Sequence, residues 1–375
     1  MGWKVLSVFG TRPEAIKMAP VVKMLERDSR FESYVLLTGQ HSQMLDDVVT
    51  LFEIQTWKDL NVMRERQTLP YLTATLATRL SEAIMELRPD LVIVHGDTTT
   101  TLMGALSATY AHIPVAHVEA GLRSHQKFSP FPEEVNRMLT DQLADLCFAP
   151  TEEAQNNLLQ SGIGEERIHI VGNSIVDAVC MALPRLRTPA VMNGIAPGSS
   201  IVVMTAHRRE NWDAGIAVFA DALVRLSRKH RELTFVFPVH LNPIVRDTVV
   251  SIASGIENVI LVDPLPYFDF LYLLRQSVAV LSDSGGIQEE CVTLHKPMLL
   301  LREVTERPEA VESGWVKLVG KDEDLIVRSF EELATRGFGG PGIDAVNPYG
   351  DGTTARQIVS HIAAYLNARP QGDER

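Results

Sequence analysis

Short runs of apolar residues alternate with longer stretches of mixed polarity along the first half of the chain. The runs cover residues 3–9, 34–38, 91–94, 115–118 and 146–149. Each run has the length of a strand, and near-continuous apolar character is typical of parallel strands that helices cover on both faces. The pattern therefore predicts a doubly wound α/β domain.

The same pattern restarts after an irregular segment. Residues 183–200 contain three prolines and two glycines, which favours a linker between domains. The apolar runs of the second half cover residues 201–205, 233–237, 259–262, 278–282 and 297–301. An amphipathic segment at 354–366 follows a turn-rich stretch, and the pattern leaves its packing partner open. We predict two α/β domains, residues 1–182 and 183–353, followed by a C-terminal helix and tail at 354–375.

Composition and charge limit the classes of protein to which this chain can belong. The 375 residues suit two domains of the usual size, and 45% hydrophobic with 22% charged residues is typical of a folded protein. The net charge of −12 argues against nucleic acid or an anionic membrane as a partner. No apolar run approaches the roughly 18 residues of a membrane span, and the N-terminus lacks the layout of a signal peptide, which predicts a cytoplasmic protein. Cys147, Cys180 and Cys291 lie too far apart for a redox pair or a zinc cluster, so we expect buried thiols.

Polar residues follow the first predicted strand, where parallel sheets bind their ligands. The segment GTRPE at residues 10–14 is followed by Lys17 about one helical turn later. It lacks the GxGxxG fingerprint, so we expect no nicotinamide cofactor. Arg12 and Lys17 would oppose the positive end of a helix dipole, which favours a role in anion binding over simple solvation.

Two histidines and two carboxylates follow the next strands. The strand period of two places His95 with Asp97, and His117 with Glu119, on common faces. Such a set is compatible with a metal site. We favour the alternative in which the histidines support the carboxylates, while the threonines after Asp97 cap a helix.

Further acidic residues open a helical segment. Glu133 and Glu134 lie at its start, where at least one of them is expected only to complement the helix dipole.

The second half contains features that suit a nucleotide. His207, Arg208 and Arg209 follow the strand at 201–205, and Arg307 follows the run that ends at residue 301. The segment DSGGIQEE at 283–290 is a strand end, a small-residue turn and a helix start, which lets backbone N–H groups approach a phosphate. Its last residue, Glu290, is placed to accept ribose hydroxyls. Carboxylates in one domain and phosphate and ribose binders in the other suit a sugar nucleotide.

Nine motifs in order from Val5 to about His361 resemble the non-hydrolysing bacterial UDP-N-acetylglucosamine 2-epimerases. They are GTRPEAIKMAP, VHGDTTTT, HVEAGLR, PFPEE, AHRREN, PVHLNP, DSGGIQEE, TERPEAV and NPYGDG. The resemblance implies an α/β GT-B fold, with two Rossmann-like domains facing a central cleft. It also implies a homodimer that interconverts UDP-GlcNAc and UDP-ManNAc without redox cofactor or metal, for envelope polysaccharides. One departure is His295, where the family commonly has glycine.

The resemblance also assigns roles to residues. The catalytic set it implies is Lys17, Asp97, Glu119, Glu133 and His207. The substrate-binding set is Arg12, Lys17, His207, Phe270 beside the uracil, Ser284, Gly285, Gly286, Glu290 on the ribose, and Arg307. A second, allosteric UDP-GlcNAc would contact Gln40, Gln43, Arg66, His240 and Arg208.

The chemistry of the implied substrate is consistent with an elimination. C2 of the sugar is not beside a carbonyl, so its direct deprotonation is strongly uphill, and an oxidative route calls for the fingerprint that strand one lacks. Loss of UDP to a 2-acetamidoglucal and its re-addition require a proton-transfer group on each face, and which carboxylate is base or acid stays open. The alternatives are a GT-B glycosyltransferase, a hydrolysing 2-epimerase and a catalytically silent UDP-sugar sensor.

Overall fold

The computed structural model describes residues 2–39, 42–64, 67–206, 214–342 and 345–369. The chain forms two compact units, unit 1 of Met1–Met181 with Tyr349–Arg375, and unit 2 of Ala182–Pro348. Each unit is a parallel sheet with helices, so the predicted α/β class is confirmed. No helix of the described ranges is both long and apolar enough to cross a bilayer.

Unit 1 is built on a seven-stranded sheet in the order β3-β2-β1-β4-β5-β6-β7, with every neighbouring pair parallel. Its strands are β1 (Trp3–Phe9), β2 (Phe31–Leu37), β3 (Lys58–Asp59), β4 (Leu91–His95), β5 (Val115–Val118), β6 (Leu146–Ala149) and β7 (Ile168–Ile170). Its helices are α1 (Arg12–Arg27), α2 (Ser42–Leu51), α3 (Leu69–Leu87), α4 (Thr99–Tyr110), α5 (Glu133–Leu143), α6 (Glu152–Gln160), α7 (Ser174–Ala182) and the C-terminal α14 (Thr354–Ala368). The apolar strand side chains form the core beneath α3 and α4, which explains their continuous hydrophobic runs.

Unit 2 repeats this design with six parallel strands in the order β10-β9-β8-β11-β12-β13. The strands are β8 (Ser200–Thr205), β9 (Leu233–Pro238), β10 (Val259–Val262), β11 (Ser277–Ser282), β12 (Met298–Leu300) and β13 (Val316–Leu318). The helices are α8 (Ala214–Lys229), α9 (Pro243–Ala253), α10 (Tyr267–Gln276), α11 (Gly285–Thr293), α12 (Pro308–Glu312) and α13 (Glu323–Thr335). A second core of aliphatic and phenylalanine side chains lies against this sheet.

The C-terminal helix, whose partner the sequence left open, belongs to unit 1. The chain returns to that unit at Tyr349, and α14 packs against α1. Its first turn is fixed by Asp177, whose Oδ1 accepts a hydrogen bond from the Ala355 N–H at 3.0 Å. The helix therefore completes the unit that contains the candidate carboxylates.

The thiols differ in exposure. Cys147 and Cys291 are buried as expected, but Cys180 is exposed, so that prediction was wrong for one of the three. Cys180 lies in α7, two residues before the end of the helix.

Candidate active site

Both sheets have a switch point, where successive connections leave in opposite directions and ligands commonly bind. In unit 1 it lies between β1 and β4. Glu14 joins the segments that follow these strands, since its carboxylate accepts from the N–H groups of Gly10 at 2.9 Å and Thr11 at 2.7 Å, and from the Thr98 hydroxyl at 2.6 Å. Burial raises the pKa of Glu14, and these hydrogen bonds offset the rise only in part. Glu14 thus fixes the shape of the switch point.

Lys17 and Glu119 form a buried ion pair. The Lys17 Nζ contacts Glu119 Oε2, and both residues are less than 10% exposed. Asn173 donates to the same oxygen at 3.1 Å. Within unit 1, Lys17 therefore contacts a carboxylate of the chain itself, and its role in binding a ligand anion stays a prediction.

Glu119 also has an unusual backbone. Its φ of 63° lies in the left-handed region, which is costly for a residue with a side chain and is concentrated at functional sites. The preceding strand β5 ends at Val118, so the turn begins at once. The strained turn directs the Glu119 carboxylate to Lys17.

Asp97 is held by residues of α5. A guanidinium nitrogen of Arg137, Nη2, donates to Asp97 Oδ2, and the Asn136 amide donates to the Asp97 carbonyl at 2.9 Å. The other terminal nitrogen of Arg137 donates to the Glu119 carbonyl at 2.6 Å. Arg137 is 5% exposed, and the sequence analysis did not select it.

The alternation of side chains along a strand does not extend to Asp97 and Glu119. β4 ends at His95 and β5 at Val118, and Gly96 adopts a φ of 73°. Asp97 and Glu119 therefore lie beyond the strands, and the argument that paired each with a histidine two residues earlier does not apply.

His117 serves a different carboxylate from the one expected. Its Nδ1 is 2.7 Å from Asp141 Oδ1, and its Nε2 donates to the Gly96 carbonyl at 2.7 Å. Burial opposes ionisation of Asp141, but His117 and the Arg123 guanidinium at 2.7 Å outweigh it and lower the pKa of Asp141. Both nitrogens of His117 are engaged, which removes it as a ligand in the metal interpretation.

His95 is a buried imidazole beside Glu119. It is 3% exposed, and neither ring nitrogen has a hydrogen-bond partner within the described ranges. Its Nε2 lies 4.0 Å from Glu119 Oε2. Burial lowers the pKa of His95 to about 3, although the negative charge of Glu119 acts in the opposite direction. Throughout the part of the chain that is described, no group of three or more His, Cys, Asp and Glu side chains is arranged to hold a metal ion.

The acidic pair at the start of α5 divides into two roles. Glu134 is buried and accepts from the N–H groups of Ser124 at 2.9 Å and His125 at 3.1 Å. Glu133 is the first residue of the helix and is partly exposed. Glu134 therefore holds the segment before the helix, which differs from the expected role of complementing the helix dipole. The threonine after Asp97 caps a helix as expected, since Thr98 accepts from the Thr101 N–H at the start of α4.

The switch point of unit 2 lies between β8 and β11. Ser282 links the strands through its hydroxyl, which is 2.8 Å from the Thr205 hydroxyl and accepts from the Ser284 N–H at 3.0 Å. The turn leads directly into α11, whose first residue is Gly285. A Cβ added at Gly286 would have no described atom within 4 Å. The helix N-terminus is thus open to a ligand, as a phosphate site requires.

The other unit 2 candidates lie on elements around this sheet. Glu290 is in α11 and Phe270 is in α10, and both are less than 10% exposed. Arg307 precedes α12, and its Nε donates to Glu289 at 2.5 Å while its Nη1 lies 3.5 Å from Glu306. The guanidinium is therefore held between two carboxylates.

The remaining candidates are only partly described. Arg12 is the first residue of α1 and is partly exposed. The His240 Nδ1 accepts from the Asn242 N–H at 3.1 Å, and burial lowers the pKa of His240 against the opposing charge of Asp283. His207, Arg208, Gln40 and Arg66 lie outside the described residues, as does the side chain of Gln43.

Comparison with known proteins identifies the family of the chain. A family model described as UDP-N-acetylglucosamine 2-epimerase matches residues 23–363. The UDP-N-acetylglucosamine 2-epimerase of Escherichia coli K12 is 45% identical over 368 residues, 96% of this chain and 98% of that protein.

Solved structures extend the likeness. The Neisseria meningitidis UDP-GlcNAc 2-epimerase bound to UDP-GlcNAc matches with a TM-score of 0.91 and 43% identity, over 96% of this chain and 100% of that chain. The Methanocaldococcus jannaschii enzyme in complex with UDP-GlcNAc and UDP matches with a TM-score of 0.84 and 31% identity, over 96% and 99%. The GT-B-like fold class is thereby confirmed. The chain therefore belongs to the UDP-N-acetylglucosamine 2-epimerase family of carbohydrate isomerases.

Proposed function

We propose that this protein reversibly converts UDP-GlcNAc to UDP-ManNAc as a non-hydrolysing epimerase. The observation that supports this most strongly is the pair Asp97 and Glu119, whose carboxylates follow adjacent strands. Arg137 donates to the Asp97 carboxylate and to the backbone carbonyl of Glu119. An epimerisation at C2 needs proton-transfer groups of this kind, because a proton leaves one face of the carbon and another is added to the opposite face.

The reaction proceeds by elimination and addition. A carboxylate base removes the C2 proton while the bond from C1 to the UDP oxygen breaks, and a C1–C2 double bond forms. The products of this step are UDP and 2-acetamidoglucal, with the proton on the base. An acid on the opposite face then protonates C2 while UDP returns to C1. Asp97, Glu119 and Glu133 are our candidates for these groups, with Lys17 holding Glu119 and His207 completing the catalytic set.

Unit 2 provides the nucleotide contacts in this proposal. Ser284, Gly285 and Gly286 offer backbone N–H groups at the start of α11, which stabilise the charge that develops on the departing diphosphate. Arg12 of unit 1 and His207 are further candidate donors to the departing diphosphate. The ribose, uracil and substrate contacts are assigned to Glu290, Phe270 and Arg307.

One time course tests the proposal against its rivals. The purified protein is incubated with UDP-GlcNAc alone and followed by NMR spectroscopy. Conversion to an equilibrium mixture with UDP-ManNAc is expected. Free ManNAc and UDP would indicate the hydrolysing reaction, consumption only after addition of a sugar acceptor would indicate a glycosyltransferase, and binding without turnover would indicate a sensor.

We further propose a second UDP-GlcNAc molecule that activates the enzyme. Its candidate contacts are Gln40, Gln43, Arg66, His240 and Arg208. A ligand that binds one conformation more tightly shifts the population towards it, which is sufficient for activation. The reverse reaction should be slow with UDP-ManNAc alone and should accelerate when a trace of UDP-GlcNAc is added. His240→Ala should abolish the acceleration, and a reverse reaction without a lag would contradict the second site.

The proposed assembly is a homodimer that supplies ManNAc units for envelope polysaccharide. Large apolar side chains of α3 and α4 are exposed in the isolated chain, including Tyr71, Met85 and Tyr110, and such side chains are common at subunit interfaces. Light scattering of the protein as it elutes from a size-exclusion column should give twice the chain mass of 41.6 kDa. A single-chain mass at micromolar concentration would contradict the dimer.

A further inference from the structure

Arg137 contacts both candidate carboxylate residues of unit 1 at once. One terminal nitrogen donates to the Asp97 carboxylate and the other to the Glu119 carbonyl at 2.6 Å. The first nitrogen also lies 3.9 Å from Glu119 Oε1. Asp97 follows β4 and Glu119 follows β5, so a single side chain from α5 connects the ends of two neighbouring strands.

The charges around this contact balance. Lys17, Asp97, Glu119 and Arg137, here named the four-charge cluster, contribute two positive and two negative charges. The side chains of Lys17, Glu119 and Arg137 are each no more than 7% exposed, and that of Asp97 is 30% exposed. Buried charges persist only when they are paired and hydrogen-bonded. Loss of Arg137 would leave Asp97 and the Glu119 backbone without a shared partner.

The planar guanidinium is suited to this task. Its terminal nitrogens point in fixed directions, so it can bind two acceptors in one plane, which the single ammonium of lysine cannot do. The Glu119 carbonyl belongs to a residue with a φ of 63°, a conformation that persists only when its surroundings hold it. The bond from Arg137 is one of the contacts that hold it.

We propose that Arg137 is a positioning residue for the epimerisation, which fixes the Asp97 carboxylate and the Glu119 turn in one constant relation. This inference rests on the proposed function. Asp97 and Glu119 are two of the three candidates for the groups that act on the two faces of C2, so their relative position has to suit the substrate. Misplacement of a catalytic group by about 1 Å can cost on the order of 10²-fold in rate. Arg137 touches the carboxylate residues and acts through them.

Arg137→Met and Arg137→Lys test the role, with Arg123→Met as the matched control. Arg123 is also an arginine with a 5% exposed side chain, but it pairs with Asp141, which has no part in the proposed chemistry. We expect kcat to fall about 10²-fold in Arg137→Met and about tenfold in Arg137→Lys, with KM for UDP-GlcNAc within about threefold of the wild type. Arg123→Met should lower the melting temperature and leave kcat within about threefold.

A double-mutant cycle separates positioning from general stability. Arg137 is proposed to position both Asp97 and the Glu119 turn, so the loss of kcat in Arg137→Met with Asp97→Asn should be clearly smaller than the product of the two single losses, because one of the groups to be positioned is already inactive. Independent, multiplicative losses would overturn the proposal, as would Arg137→Met with normal kcat. If Arg137→Met does not fold, the same cycle is measured with Arg137→Lys, below the melting temperature of each variant.

The controls also separate this inference from the proposed function. A wild-type protein that does not interconvert UDP-GlcNAc and UDP-ManNAc would overturn the proposed function. A wild-type protein that turns over normally, together with an active Arg137→Met variant, would overturn only the role of Arg137.

Discussion

The Lys17 ammonium contacts the Glu119 carboxylate although the two residues are 102 positions apart in the chain. Lys17 lies in α1, and Glu119 follows β5. Both side chains are no more than 7% exposed, so neither charge is hydrated as it would be at the surface. The pair therefore couples the stability of unit 1 to the charge of a candidate catalytic residue.

Removal of Lys17 alone should destabilise the protein more than removal of both charges of the Lys17–Glu119 pair. Lys17→Met removes the contacting cation of the buried Glu119 carboxylate and leaves the more distant Arg137, at 3.9 Å. We expect the free energy of unfolding to fall by up to about 3–5 kcal/mol. The double variant Lys17→Met with Glu119→Gln should recover part of this loss, because no unpaired charge then remains. Urea denaturation of the three proteins measures the difference. Equal losses in the single and double variants would show that the two charges do not depend on each other.

The carboxylates of unit 1 should differ in their effect on rate. Asp97→Asn, Glu119→Gln and Glu133→Gln are each expected to lower kcat by on the order of 10² or more, since each keeps its shape but loses proton transfer. Glu134→Gln is the control, because Glu134 binds two backbone N–H groups, and it should lower stability with little change in kcat. Steady-state kinetics measures kcat, and circular dichroism checks that each variant is folded. Near-normal kcat in the first three variants would refute the catalytic assignment.

His95 should remain neutral at every pH at which the enzyme is folded. Its pKa of about 3 lies below the ordinary value of 6.5, so the unfolded chain takes up a proton between these values and the folded chain does not. The stability that neutral His95 retains above pH 6.5 is therefore lost as the pH falls, by up to about 1.4 kcal/mol per pH unit.

Comparison with His95→Gln isolates this effect. Urea denaturation between pH 7 and pH 4.5 should show a steeper loss of stability in the wild type than in the variant. The NMR signal that disappears in His95→Gln should not titrate between pH 5 and pH 8. A titration midpoint near 6 would show that the imidazole is accessible to protons.

Gly286→Ala should separate nucleotide binding from folding. The added methyl group has open space in the unliganded structure, so the melting temperature should be unchanged. If a diphosphate lies against the α11 N-terminus, the same methyl group would obstruct it, and the affinity for UDP should fall about tenfold or more. Gly194→Ala is the control, since its nearest described neighbour is 3.8 Å away and it is outside the proposed site. Isothermal titration with UDP gives both affinities, and unchanged binding in Gly286→Ala would place the diphosphate elsewhere.

The sequence predicted the long strands because they are buried on both faces. It did not predict β3, β7 and β13, which have only two or three residues and lie at sheet edges. Edge strands are commonly short and polar, as Lys58 and Asp59 in β3 illustrate. β7 (Ile-His-Ile) and β13 (Val-Lys-Leu) are each interrupted by one polar residue, so an uninterrupted apolar run was absent from all three strands.

The departure at His295 has a local explanation. This residue follows α11 with a φ of 54°, the left-handed position that glycine commonly occupies after a helix. The imidazole packs against the Trp315 ring, and the centroids of the two rings are 5.4 Å apart. His295 therefore combines a strained backbone with a ring contact to Trp315. No pattern in the sequence indicates that these two residues meet.

Asp97 and Glu119 were recognisable because they follow buried strands, whereas Arg137 was not. Glu133 and Arg137 have the spacing of an ordinary exposed helical ion pair. In the structure Arg137 and Asp141 are buried, while Met138 and Leu139 are about half exposed. Polar residues at helical spacing, Arg137 and Asp141, beside the apolar Met138 and Leu139, are the pattern that indicates a buried polar face. Recognising it requires knowing which face of α5 meets the sheet.

Exchange of the C2 hydrogen with solvent tests the elimination most directly. The wild-type enzyme is incubated with UDP-GlcNAc in deuterated water until UDP-ManNAc forms, and both epimers are examined by NMR and mass spectrometry. Elimination and re-addition predict deuterium at C2 of UDP-ManNAc from the first turnover, and its appearance in the remaining UDP-GlcNAc as the reaction reverses. UDP-ManNAc that retains the original hydrogen at C2 would contradict the mechanism.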